Sequence, residues 1–129
     1  MARRKSLTLT EGELRLMQVV WEKGSATAGD VLEALPKNPP TAYSTVVTML
    51  RILEEKGYLR HTKESRAFVY HPVVDQSEAS RSAVRHLLKR FFNNSPELLV
   101  LNVLKHEQID PQELRRLRKL IEESEAKQS

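Results

Sequence analysis

The hydrophobic period of this chain changes at Gly57. Before it, in TAYSTVVTMLRILEEKG, Val46, Met49, Leu50 and Leu53 recur at helical spacing; after it, in YLRHTKESRAFVYHP, Leu59, His61 and Lys63 alternate with Arg60 and Thr62. A period of 3.6 giving way to a period of 2 means a helix that stops abruptly and runs straight into a strand. Gly57 provides the left-handed residue that such a stop favours. Glu64 to Arg66 make a turn, Ala67, Phe68, Val69 and Tyr70 return as the partner strand, and Pro72 ends it.

Two shorter helical signals precede this unit. Thr10 with Glu13 three residues on is a capping box, and Leu14, Met17, Val20 and Trp21 predict one apolar stripe up to Gly24. Thr27 and Asp30 open a second helix through Val31, Leu32 and Leu35, closed by Pro36 and the loop Lys37-Asn38-Pro39-Pro40. The third helix is expected over about 41–56. From Asp75 onward the signals are helical only, over about 77–92, about 95–107, and a last helix with Asp110 as N-cap, Pro111 at N1 and Glu113 at N3. Three helices followed by a hairpin is the winged helix-turn-helix arrangement. The expected fold is therefore mainly α with a small β-hairpin wing: a winged helix-turn-helix over 1–73 and a helical region over 74–129.

Composition narrows the partners. The 129 residues carry 21 Lys and Arg against 17 Asp and Glu, a net charge of +4, with 11 basic and 8 acidic side chains in residues 1–72. The positive bias lies in the first half, where a polyanion would dock. Cysteine is absent, which excludes a disulfide framework, a thiolate metal site and a cysteine nucleophile. MARRKS is basic, but the apolar run of a signal peptide or membrane span does not follow it, so a cytoplasmic protein without membrane insertion is expected.

In a winged helix the third helix enters the DNA major groove and the wing reaches the flanking backbone. At 100° per residue, Ser44, Thr48, Arg51 and Glu55 fall opposite the apolar side of that helix. Short hydroxyls let the backbone approach and bond phosphates or base edges, and Arg pairs with guanine at two points. Lys63 and Arg66 stand near the hairpin tip. The alternative is a winged-helix protein-interaction module without DNA specificity, although Ser and Thr are poor anchors for a protein partner.

The second half carries two apolar stripes, Leu98, Leu99, Leu101, Val103 and Leu104, then Leu114, Leu117, Leu120 and Ile121. These are more than two small helices bury on each other, so a second copy of the chain is the expected cover, with an intramolecular helix cluster as the alternative. A twofold dimer would set two recognition helices one DNA turn or a multiple apart. Between the halves, Arg81, Arg85 and Lys89 recur at i, i+4, i+8 beside His86 and Arg90, either a solvated face or a further contact with phosphates. An enzyme is not expected. His61, His71, His86 and His106 have neither metal-ligand spacing nor a ligand set, there is no phosphate-cradling Gly-rich loop, and no metal or cofactor is predicted.

LTEGELRLMQVVWEKGSATAGDVLEAL, then AYSTVVTMLRILEEKGYL, then KESRAFVYHPVV, in that order and spacing, resemble the penicillinase repressor family, which includes the beta-lactamase and methicillin-resistance repressors. LVLNVLKHEQIDPQELRRLRKLIEE resembles the family's C-terminal dimerisation helices. The resemblance implies a homodimeric winged-helix repressor on an inverted-repeat operator of double-stranded DNA, controlling genes of the beta-lactam resistance type. By the same resemblance, Ser44, Thr45, Thr48 and Arg51 would face DNA, Tyr43 would lie near the phosphates, and Lys63 and Arg66 would sit on the wing. Leu98, Leu101, Leu104, Leu114, Leu117 and Ile121 would form the dimer contact. Part of the family is relieved by a membrane-bound zinc-metalloprotease sensor pathway, with cleavage at an Asn followed by an aromatic. Leu101-Asn102-Val103 stands at that place, with Val103 in the aromatic's position. Two further departures are Ile52 where the family commonly has Arg, and a wing turn reading Glu64-Ser65-Arg66 where Gly-Arg is usual, so the resemblance does not extend to the operator sequence.

Overall fold

Two capping boxes set the start of the chain's structure in the computed structural model, which describes residues 8–128; the basic MARRKS segment lies outside the described residues. Thr10 accepts from the Glu13 N–H at 3.1 Å while Glu13 accepts from the Thr10 N–H at 2.8 Å, starting α1 (Glu11–Lys23). Gly24, at φ 84°, ends it. Thr27 and Asp30 repeat the device for α2 (Ala28–Ala34), and the Thr27 N–H holds the Asp30 carboxyl below the usual aspartate range.

Between them lies a strand the sequence pattern does not announce. β1 (Ala26–Thr27) is two residues long and pairs antiparallel with β3, Ala26 opposite Tyr70 and Thr27 opposite Val69. With β2 (Leu59–Glu64) and β3 (Ala67–Pro72) it makes a three-stranded sheet in the order β1-β3-β2. The wing is thus anchored to the start of α2 as well as to the end of α3 (Tyr43–Glu55).

α3 begins later than about Thr41: Ala42 is its N-cap, without a side-chain bond. It ends as a Schellman motif, in which the Gly57 N–H reaches the Glu54 carbonyl at 3.0 Å and the Tyr58 N–H reaches the Leu53 carbonyl at 3.0 Å. Gly57 sits at φ 91°, where a Cβ would be strained. Tyr58 and Leu53 are both buried, the apolar contact that accompanies this cap.

The core gathers Met17, Val20, Val31, Val46, Leu50 and Leu53, all fully buried, with Leu16, Leu59, Tyr70 and Val74 around them. One expectation is corrected: Leu14 is 38% exposed and Leu16 2%, so the buried stripe of α1 runs through Glu13, Leu16, Met17 and Val20. The expected and observed stripes differ by a small rotation, and the observed one was masked by the charge of Glu13.

Glu13 is buried, and its carboxylate serves two roles, capping α1 and accepting from the Lys56 ammonium at 2.7 Å, which ties α1 to the end of α3. Burial pushes this carboxyl up, but the Lys56 hydrogen bond, the Thr10 N–H and the Lys56 charge outweigh it and hold it below the usual glutamate range. A lowered value means that the stabilisation is complete above about pH 4.3, where an unfolded glutamate ionises, and is lost as pH falls through the lower native value. Glu13→Gln is expected to cost about 1 to 2 kcal/mol at neutral pH, less than the loss of a fully buried pair because Lys56 reaches water. It should also flatten the acid limb of stability; urea midpoints between pH 3 and 7 measure both, and an unchanged acid limb would count against the pair.

Two units are separated by backbone packing, one ending at His86 and the other starting at Leu87, a division that falls inside α4 (Gln76–Phe91). The reason is that Ala79, in the first turns of α4, packs on the core, and the Trp21 indole N–H fastens the Val74 carbonyl at 2.9 Å. The second unit holds α5 (Pro96–His106), capped by Ser95, and α6 (Pro111–Gln128). Asp110 accepts from the Gln112 N–H at 2.8 Å at the start of α6. None of the described residues after Val74 is buried.

Candidate nucleic-acid interface

The phase of α3 on the core decides what the molecule presents. With Val46, Leu50 and Leu53 turned inward, Tyr43, Ser44, Thr45, Thr48 and Arg51 are all exposed, on a face interrupted only by the half-apolar Ile52 and by Glu55. The first turn of α3 carries no acidic residue and no side-chain cap, so no side chain of its own offsets the positive end of its dipole.

The wing lies beside this face. Side chains alternate along the hairpin, and the pairing of His61 with Tyr70 and Lys63 with Phe68 puts these four on one side, with Arg60, Thr62, Val69 and His71 on the other. Arg66 projects from the turn, where Ser65 takes φ 55°. Arg66, Phe68 and Tyr70 of the wing line one cleft with Tyr43 and Val47 of α3 and Thr27 of β1. The structure thus brings Tyr43 and Arg66 together, while Ser44, Thr48 and Arg51 occupy the outer surface of α3 and Lys63 stays on the strand.

Tyr70 sits beneath this surface. Burial pushes its phenol up, the nearby Glu54 carboxylate pushes the same way, and the Arg51 guanidinium opposes them. Arg51 therefore works within the field of a buried phenol and a carboxylate, which composition alone did not reveal. Sequence reasoning also missed Thr27 and Phe68 in the cleft, and the contact between His61 and Glu54. The Thr27 signal was present as a helix cap, but only the β1–β3 pairing carries it to the wing.

No metal-binding group of three or more His, Asp or Glu side chains occurs among the described residues, and no described helix is long and apolar enough to cross a membrane. The basic row of α4, Arg81, Arg85 and Lys89, is exposed, and the Arg90 guanidinium lies over the Phe91 ring at 5.4 Å.

In the second unit, Leu98, Leu101, Leu104, Leu114, Leu117 and Ile121 all remain exposed. α5 and α6 leave an apolar groove between them, lined by Leu99, Val103, Leu104, Leu114, Leu117 and Ile121. Packing of the two helices on each other therefore does not cover their stripes. Asn102 and Val103 are exposed within α5.

A family model described as penicillinase repressor matches residues 9–123. The chain is 35% identical over 115 residues to the penicillinase repressor of Bacillus licheniformis, covering 89% of this chain and 90% of that one. It is 22% identical over 117 residues to the methicillin resistance regulatory protein MecI of Staphylococcus aureus (strain N315), covering 91% and 95%. The solution structure of the DNA binding domain of the repressor BlaI superposes with a TM-score of 0.52 at 37% identity, covering 58% of this chain and 92% of that domain.

Proposed function

The chain belongs to the penicillinase repressor family, and from that membership we propose that it is a homodimeric, DNA-binding transcriptional repressor that occupies an inverted-repeat operator. It acts by occupancy, without bond chemistry, as expected of a family of regulators and not of enzymes. The observation that carries the reading is the division of α3 into a fully buried apolar side and an exposed side of hydroxyls and Arg51, beside a wing that bears Lys63 and Arg66.

In this reading, Ser44, Thr45, Thr48 and Arg51 enter the major groove. Tyr43 and Arg66, which share a cleft, take a backbone phosphate, and Lys63 takes a neighbouring one. The exposed leucines of α5 and α6 meet their copies in a second chain. Burial of such stripes in water supplies roughly 25 cal/mol per Å² of apolar surface, and neither helix buries its own. A chain that acts on chromosomal DNA works in the cytoplasm. The similarity to a penicillinase repressor and a methicillin resistance regulator points to target genes of the beta-lactam resistance type. Release would then run through a membrane-bound metalloprotease sensor pathway and cleavage at the exposed Asn102–Val103 bond.

The protein-interaction alternative is not favoured, since the outer face of α3 offers only Ile52 and the hydroxyl-bearing Tyr43 as large side chains with apolar surface. The deciding experiment is to sequence the genomic fragments that the purified protein retains and to footprint them. An inverted repeat protected on one face of the duplex is the expected result; retention no better than on heparin would sink the reading.

Two substitutions separate reading from positioning. Arg51→Ala should cost about 1 to 3 kcal/mol on the best site and relax preference at one base position. Arg66→Ala should weaken all sequences alike and lower the salt slope by about one. Anisotropy titrations on a set of single-base operator variants at several salt concentrations distinguish the two; equal behaviour of both variants would refute the division of roles.

A further inference from the structure

Besides the backbone link through Gly57 and Tyr58, a polar side-chain contact sets the wing against α3. His61 Nδ1 on β2 lies 2.7 Å from Glu54 Oε1 and 2.9 Å from Oε2 on α3. The imidazole is also held flat, stacked on Phe68 with ring centroids 4.3 Å apart and an interplanar angle of 20°, and tilted against Tyr70 at 5.8 Å. A carboxylate only accepts, so Nδ1 donates, and both the charged ring and one neutral tautomer carry that N–H. The clamp therefore fixes the ring by its face and by its edge, one side from the wing and one from the helix.

We propose that Glu54 and His61 are positioning residues for DNA binding: they set the pitch of the wing against α3, so that Lys63 and Arg66 meet the backbone when the outer face of α3 is in the groove. The inference rests on the DNA-binding reading above. Phe68, which stacks on His61, is the cross-strand partner of Lys63, so the clamp ends at the residue that carries a wing cation. It also turns a carboxylate of the recognition helix sideways, toward an N–H donor, where an unclamped one would confront the polyanion.

The absence of cysteine makes the test direct. Cysteines introduced by Glu55→Cys and Glu64→Cys in the full chain take spin labels on α3 and near the wing tip, and dilution with unlabelled protein restricts the signal to one protomer. The distance distribution should be narrow in this parent, broad after Glu54→Ala or His61→Ala, and narrow again after Glu54→Gln, whose amide oxygen accepts the same N–H. On a retained genomic fragment, the two alanine variants, made without the cysteines and labels, should lose hydroxyl-radical protection at the flanks while keeping it at the centre. Their salt slope should fall by about two, for two wing phosphates, and Glu54→Gln should restore both. Narrow distances in the alanine variants overturn the proposal, as does broadening without loss of flank protection. Glu54→Gln behaving like Glu54→Ala overturns it too, since charge alone would then be the cause. Unsubstituted protein that protects no fragment defeats the DNA-binding reading and the positioning role with it, whereas failure of the clamp alone leaves that protein's footprint intact.

Discussion

Cut after Asn94, the protein is expected to fold, to become monomeric, and to bind a complete operator roughly 100- to 10,000-fold more weakly than the full chain. It folds because every buried core residue, from Glu13 to Val74, precedes the cut, together with the whole of α4 and its packing through Ala79. It becomes monomeric because the cut removes the apolar stripes of α5 and α6, the proposed dimer contact. Loss of affinity follows from linkage: in a dimer the second half-site is bound from an effective concentration far above that of free protein, and the monomer meets each half-site independently. Sedimentation and anisotropy on full and half operators are the measurements. A truncated chain that still sediments as a dimer removes the role assigned to α5 and α6, and one that binds half-operators no better than random duplex removes the role assigned to α3.

The helices before the wing were readable because their signals are local. Thr10 with Glu13, Thr27 with Asp30, and Gly57 each act within three or four residues, where side chain, cap and backbone are chemically coupled regardless of what the rest of the chain does. What escaped notice depends on distant partners. β1 is two residues whose pairing partners, Tyr70 and Val69, lie more than forty positions later. Glu13 looks like a surface cap until Lys56, 43 residues on, makes a buried site for it, and so Leu14 took the place of Leu16 in the expected stripe. The exposed side of α3 could be read from its own periodicity, but the cleft shared by Tyr43 and Arg66 and the contact of Glu54 with His61 require the register of β2 on β3 and the way the hairpin lies on the helix. In the second unit the leucines could be counted, and the structure adds that α5 and α6 leave them uncovered.

Leu50→Ala should destabilise the winged unit by about 2 to 5 kcal/mol, while Ile52→Ala, two residues away on the same helix, should stay within about 1 kcal/mol. Leu50 is 0% exposed and packs in the centre of the core, so its removal forfeits transfer energy and leaves a cavity that Met17, Val46 and Leu53 cannot close without shifting. Ile52 is 36% exposed and gives up little on truncation. The contrast fixes the rotational phase of α3, and with it the exposure of Ser44, Thr48 and Arg51, since a helix turned by about half a turn would exchange the two costs. Urea unfolding of both variants gives the stabilities directly, and operator titrations under conditions where each remains folded give the functional half. Ile52 stands on the exposed side next to Arg51, where the family commonly carries Arg. Ile52→Arg should therefore leave stability nearly unchanged and tighten binding to duplex DNA in general, with a salt slope steeper by about one. If Ile52→Ala proved as costly to stability as Leu50→Ala, α3 would be seated on the core in a different phase, and the face assigned to DNA would be the wrong one.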